Sequence, residues 1–195
     1  MSETQTQAIN SSVQISDEVC ILKFCRLRDE AAFNCLINRY SQSISRILYT
    51  VLQGSQEDIE DVKQEVLLAL YKNLDMFSFK SSFSTYLFRM TRNKAIDFIR
   101  KKKRHIMIME KSHIHSELID KNSPESLYIN KEDKKYILKV ILGLSEKDRS
   151  IIMLKDVENL SLDEIARIFN KPVGTIKSRL HRARKKAAEK LLEKK

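Results

Sequence analysis

An all-α fold, built as two small helical domains joined by a flexible linker, is what the sequence predicts, and three observations predict it. Apolar residues recur by threes and fours over most of the 195 positions, the period of one buried helix face. Glycine occurs 3 times and proline 2 times, too few for a turn-rich β fold. One stretch, 105–124, interrupts the helical pattern: His105 to Met109 is short and apolar, Glu110 to Ser123 is polar, and it ends in the breaker Asn122-Ser123-Pro124. The expected boundaries are a tail over 1–21, a first domain over 22–104, the linker over 105–124 and a second domain over 125–195.

Each element has its own signal. Over 29–52, Phe33, Leu36, Ile37, Tyr40, Ile44, Ile47, Leu48 and Val51 make one apolar stripe, broken at Gly54. Ser55 is placed to cap the next helix, whose buried face is Ile59, Val62, Val66 and Leu70. Its opposite face carries Asp58, Asp61, Gln64 and Glu65. A third helix, Ser82 to Arg104, buries Tyr86, Leu87, Met90, Ala95, Ile96 and Ile99 and leaves its cations outside. Beyond the linker, Pro124 sets a helix start, Gly143 an end, and Ser145 a new cap. Ser161-Leu-Asp-Glu164 is a capping box, and Asn170-Lys171 followed by Pro172 turns the chain into the last helix. Helix, tight turn and basic helix over 161–185 form a helix-turn-helix pattern.

Charge narrows the function. The chain carries 36 Lys and Arg against 26 Asp and Glu, a net +10, which favours a polyanionic partner. Residues 1–75 hold 7 basic and 11 acidic side chains, whereas 80–104 hold 9 basic against Asp97 alone, and 165–195 hold 11 against Glu189 and Glu193. Two basic blocks suggest two contacts on one long polyanion. In the last helix, Ile176, Leu180 and Ala183 face inward, so Lys177, Ser178, His181, Arg182 and Lys185 face outward, as on a helix that reads a major groove. Between Phe77 and Phe98, aromatic rings interleave with Lys80, Arg89, Arg92 and Lys94. That is a stacking-plus-backbone pattern suited to single-stranded nucleic acid, although rings at helical spacing also build cores. An acidic N-terminal half is further expected to compete with DNA for these cations.

Other classes find no support. No apolar run is long enough to cross a bilayer, and the start of the chain lacks the basic-then-apolar order of a signal peptide, so a cytoplasmic protein is expected. Cys20, Cys25 and Cys35 have no metal or redox spacing and read as free or buried thiols. His113 and His115 lack the further ligands a metal site needs. No catalytic residues, metal or cofactor are expected, and an enzyme acting on nucleic acid is disfavoured.

Five motifs in order, Asp61-Val-Lys-Gln-Glu-Val66, Phe83 to Arg100, Leu144-Ser-Glu-Lys-Asp-Arg149, Ser161 to Ala166 and Val173 to Arg184, resemble a bacterial RNA polymerase sigma factor of the extracytoplasmic-function (ECF) group. The resemblance implies a transcription initiation factor that brings core RNA polymerase to promoters and helps open the strands. By that resemblance Asp58, Asp61, Gln64 and Glu65 dock on the β′ clamp helices, with the β flap as a second polymerase contact. Lys80, Phe83, Tyr86, Arg89, Arg92, Asn93, Asp97, Arg100 and Lys101 match the segment that reads the −10 element. Thr175, Lys177, Ser178, Arg179, His181, Arg182 and Lys185 match the helix that reads the −35 element. An anti-sigma factor is an implied partner. Tyr86 stands where the family usually has Trp, and Leu67 where Phe is frequent. A helix-turn-helix regulator that binds duplex DNA unaided is the alternative; it leaves the Asp61–Glu65 block without a role.

Overall fold

The computed structural model describes residues 15–111 and 132–192. Among them the order is α1 (Asp17–Leu27), α2 (Glu30–Leu52), α3 (Gln56–Asn73), a 3-10 turn (Leu74–Met76), α4 (Phe83–Lys111), α5 (Glu132–Leu142), α6 (Glu146–Ile152), a π-helical turn (Met153–Val157), α7 (Leu162–Phe169) and α8 (Val173–Leu192). No described residue lies in a strand. Pro124, His113 and His115 fall outside the described residues.

The chain divides into two compact units, one ending at Arg39 and one beginning at Tyr40. In the first, α1 was not foreseen before residue 22. Ser16 caps it by accepting from the Val19 amide, and Asp17 and Glu18 sit at its positive end. Phe24 stacks on Phe33 with ring centroids 4.9 Å apart, and Arg39 pairs with Asp17. The three cysteines are free: Cys20 buried, Cys25 half-buried, Cys35 exposed. Burial, with Cys35 adding to it, pushes the Cys20 thiol up from its ordinary value.

The second unit holds two helical modules. In the N-terminal one, Ser55 caps α3 as expected, its hydroxyl accepting from the Asp58 amide at 3.2 Å. Ile59, Val62, Val66 and Leu70 of α3 are buried, as are Leu87, Phe88 and Ala95 of α4. Helix α4 continues seven residues past the expected boundary at 104, so the start of the expected linker is helical. In the C-terminal module, Ser145 caps α6 and the capping box at Ser161–Glu164 opens α7. Asn170 takes the left-handed conformation (φ 50°), and the Lys171 amide reaches back to the Ala166 carbonyl at 3.0 Å, ending α7 sharply. Ile165, Ala166, Ile176, Leu180 and Ala183 close the helix-turn-helix core.

The modules touch. Helix α4 packs on α7. Arg149, on α6 and only 7% exposed, donates to the Thr50 and Val51 carbonyls at the end of α2 and to the Leu144 carbonyl. Those α2 carbonyls have no partner within their own helix, so the guanidinium satisfies them from another module. Burial pushes the Arg149 guanidinium down from its ordinary value, against the pull of Glu146.

Candidate nucleic-acid and polymerase interfaces

Helix α4 has two faces with different fates. Tyr86, Arg89, Met90, Asn93, Lys94 and Asp97 line a surface groove of about 250 Å³. Lys94 and Asp97 also belong to a larger groove of about 620 Å³, which Arg100, Lys101, Lys103, Arg104 and Glu65 complete. The two share side chains and form one strip along α4. Its outer end is strongly basic, and its inner end offers a half-buried tyrosine ring. Burial pushes the Tyr86 hydroxyl up from its ordinary value while Arg89 opposes it.

Six of the nine residues matched to −10 reading line this strip: Tyr86, Arg89, Asn93, Asp97, Arg100 and Lys101. Lys80 is exposed nearby in sequence, before the helix begins. The structure places the other two elsewhere. Phe83 is a core residue, 4% exposed, with its ring 5.4 Å from Tyr40 and 5.9 Å from Phe77. Arg92 is 8% exposed on a different face of α4. Its guanidinium lies over the Phe169 ring at 4.1 Å and donates to Glu146 at 2.9 and 3.2 Å. For Arg92 the physical reason is helical phase: 86, 89, 93 and 97 share a face, and 85, 88 and 92 share another, whereas Phe83, one turn before Tyr86, is covered by Tyr40 and Phe77 at the start of the helix. A run of cations on one helix hides that division. Phe77 and Phe88 are core as well. Of the strip residues outside the candidate set, Lys94, Lys103 and Arg104 lay within the basic block. Met90 gave no signal, because its spacing reads as core.

The acidic face of α3 is only partly free of α4. Asp61 and Gln64 are exposed. Glu65 pairs with Lys94 at 3.6 Å, and Asp58, half-buried, with Lys102 at 2.7 Å. Two ion pairs thus join the acidic face of α3 to the basic face of α4.

On α8, Thr175, Lys177, Ser178, His181, Arg182 and Lys185 are exposed along one stripe, opposite buried Ile176, Leu180 and Ala183. The Ser178 hydroxyl is turned back to the Thr175 carbonyl at 3.1 Å. Arg179 is half-buried, and its Nε donates to Asp148 at 2.9 Å, with Lys186 on the other carboxylate oxygen at 3.4 Å. Burial would raise the Asp148 carboxyl, but hydrogen bonds from Ser145, Arg179 and Lys186 outweigh it and hold the group below its ordinary value. Arg179 therefore braces α8 against α6. Among the described residues no cluster of three or more metal-ligating side chains occurs, and no helix is long and apolar enough to cross a membrane.

A sigma-70 region 2 family model matches residues 36–105, and a sigma-70 region 4 model matches 134–186. The ECF RNA polymerase sigma factor SigW of Bacillus subtilis (strain 168) is 36% identical over 170 residues, 84% of this chain and 90% of that one. The ECF RNA polymerase sigma-E factor of Escherichia coli (strain K12) is 31% identical over 180 residues, 89% and 93% of the two chains. A solved structure of the sigma factor RpoE in complex with the anti-sigma factor NepR from Bartonella quintana has the same fold. Its TM-score is 0.66 at 24% identity, over 82% of this chain and 96% of that one.

Proposed function

The chain belongs to the extracytoplasmic-function sigma factors of the sigma-70 family, and from that membership we infer that it binds core RNA polymerase and directs it to specific promoters. It acts where the polymerase is, in the cytoplasm, and the chemistry of RNA synthesis stays with the polymerase. An anti-sigma factor is a partner consistent with the family.

One observation carries the assignment of surfaces: three exposed faces of distinct chemistry sit on three helices. The acidic outer face of α3, centred on Asp61 and Gln64, is suited to a protein surface bearing cations, as the β′ clamp helices would be. The groove along α4 offers Tyr86 for stacking, Asn93 for a base edge and a basic tail for the backbone, which suits an unpaired −10 strand. The stripe on α8 offers Lys177, Arg182 and Lys185 to bases and phosphates of a −35 duplex. Each contact is modest, and joining them in one chain raises the effective concentration of the second once the first is made.

The test is affinity for purified core polymerase. Asp61→Lys/Glu65→Lys should weaken binding at least about tenfold, because like charges then face each other. Wild-type protein that fails to bind core polymerase, yet binds a specific duplex alone, would overturn the reading.

A further inference from the structure

The cysteines show no redox spacing in the sequence, yet the fold brings two of them together. Helix α1 ends where Arg28 takes the left-handed conformation (φ 52°) and its amide returns to the Phe24 carbonyl at 2.8 Å. Asp29 opens α2, its carboxylate accepting from the Ala31 and Ala32 amides at 3.0 and 3.2 Å. With only Arg28 and Asp29 between the helices, α2 folds back along α1. The register is held at both ends of the pair. At one end the Phe24 and Phe33 rings meet, and at the other Arg39 pairs with Asp17 and donates to the Ile15 carbonyl at 2.6 Å. Between these ends, Cys20 lies one turn from Asp17 on α1, and Cys35 one turn from Arg39 on α2. The Cys20 thiol comes within hydrogen-bonding reach of Cys35, and Arg39 acts on both sulfurs. Cys20 is 1% exposed, whereas Cys35 is open to solvent. Cys25, five residues beyond Cys20, points from a different face of α1.

We propose that Cys35 and Cys20 form a reversible, peroxide-driven disulfide that staples α1 to α2. The two sulfurs have unequal tasks. Cys35, exposed and beside the Arg39 cation, is the one that hydrogen peroxide reaches. Its thiolate attacks the peroxide, forming a sulfur–oxygen bond as the oxygen–oxygen bond breaks. The sulfur is oxidised to a sulfenic acid, and the leaving hydroxide takes up the thiol proton as water. Cys20 then attacks the oxidised sulfur. The disulfide forms, the sulfur–oxygen bond breaks, and hydroxide leaves with the Cys20 proton as a second water. A dithiol reductant reverses the change by exchange. Burial keeps Cys20 protonated and away from the oxidant, so it reacts only after its neighbour. In a reducing compartment such a disulfide is transient, as in a redox sensor. No residue assigned to polymerase or DNA takes part, so the proposal goes beyond the promoter reading and stands without it.

The experiment is titration of the reduced full-length chain with hydrogen peroxide, followed by alkylation, trypsin digestion and mass spectrometry. Trypsin places the cysteines on separate peptides, 1–23, 24–26 and 29–39, so the connectivity is read directly. With about one equivalent of peroxide per chain, peptides 1–23 and 29–39 should be joined, and dithiothreitol should part them again. The oxidised chain should run as a monomer on a non-reducing gel. Hydrogen exchange of the α1 amides should slow about tenfold on oxidation, because the staple opposes local opening. Cys20→Ala should leave Cys35 as a sulfenic acid that dimedone traps, and Cys35→Ser should slow peroxide consumption about tenfold. Cys35 is exposed, so its replacement spares the core, and the wild-type titration decides the matter should Cys20→Ala lose helical content. Oxidation of Cys35 without joining to Cys20, joining to Cys25 instead, or dimers through Cys35 would each overturn the proposal. A joined chain whose α1 exchanges as fast as before would overturn the staple.

Discussion

Arg149→Met lowers the unfolding free energy by about 3 kcal/mol, the loss expected when a buried guanidinium with three carbonyl acceptors is replaced by an apolar chain of similar length. The carbonyls, more than the arginine, set the size of the effect, since each buried acceptor left without a donor costs about 1–3 kcal/mol. Two of them, Thr50 and Val51, close α2, and the third, Leu144, lies in the module of Arg149 itself. Separation of the modules lets water reach the α2 carbonyls, so the free energy of separation is the ceiling on their share of the loss. Arg149→Lys should recover less than half, because an ammonium cannot reproduce the planar fork that reaches three acceptors. Urea unfolding followed by circular dichroism measures both. A midpoint unchanged by Arg149→Met would mean the three hydrogen bonds contribute nothing net.

Lys177→Ala/Arg182→Ala reduces affinity of the holoenzyme for a −35 duplex selected from a randomised pool by about 100-fold, taking about 1–3 kcal/mol for each lost contact. The two side chains are exposed on the α8 stripe, so their removal should leave the fold intact, unlike Arg179, which braces the helix through Asp148. Salt titration separates the modes. If both cations meet phosphates, the slope of log affinity against log salt falls by about 2, and if they read bases it changes little while preference among sequences relaxes. Unchanged affinity and unchanged slope would remove α8 from the DNA interface. Binding of single-stranded DNA along α4 should be untouched in either case.

Local signals made much of this fold readable beforehand. Ser55, Ser145 and Ser161 cap the helices they were expected to cap, because a hydroxyl accepting from the amide three residues on is a contact within one turn. The outward stripe of α8 followed from three inward residues at helical spacing. Helix α1 had a signal, Ser16-Asp17-Glu18, that the weak pattern after it concealed. The end of α4 was set too early because loss of an apolar stripe was read as loss of helix. Lys, Met and Ile all tolerate a helix, and no Gly or Pro intervenes before Lys111. The matched role of Arg92 and the burial of Arg149 depend on what lies across from them. A cation in a basic block looks alike whether it faces solvent or a phenylalanine ring. Only the pairing of α4 with α7, and of α6 with the end of α2, tells the two apart.

The ion pairs of Glu65 with Lys94 and Asp58 with Lys102 tie two binding events together thermodynamically. A ligand that engages either carboxylate releases a cation, and a phosphate that engages either cation releases a carboxylate. Linkage makes the effect mutual: whatever polymerase docking adds to DNA affinity, DNA adds equally to polymerase affinity. The holoenzyme should then bind DNA with a salt slope steeper than the free chain by up to about 2, one for each lysine released. Comparing the two slopes at fixed DNA sequence would measure that coupling directly, and equal slopes would show that the pairs persist in the complex.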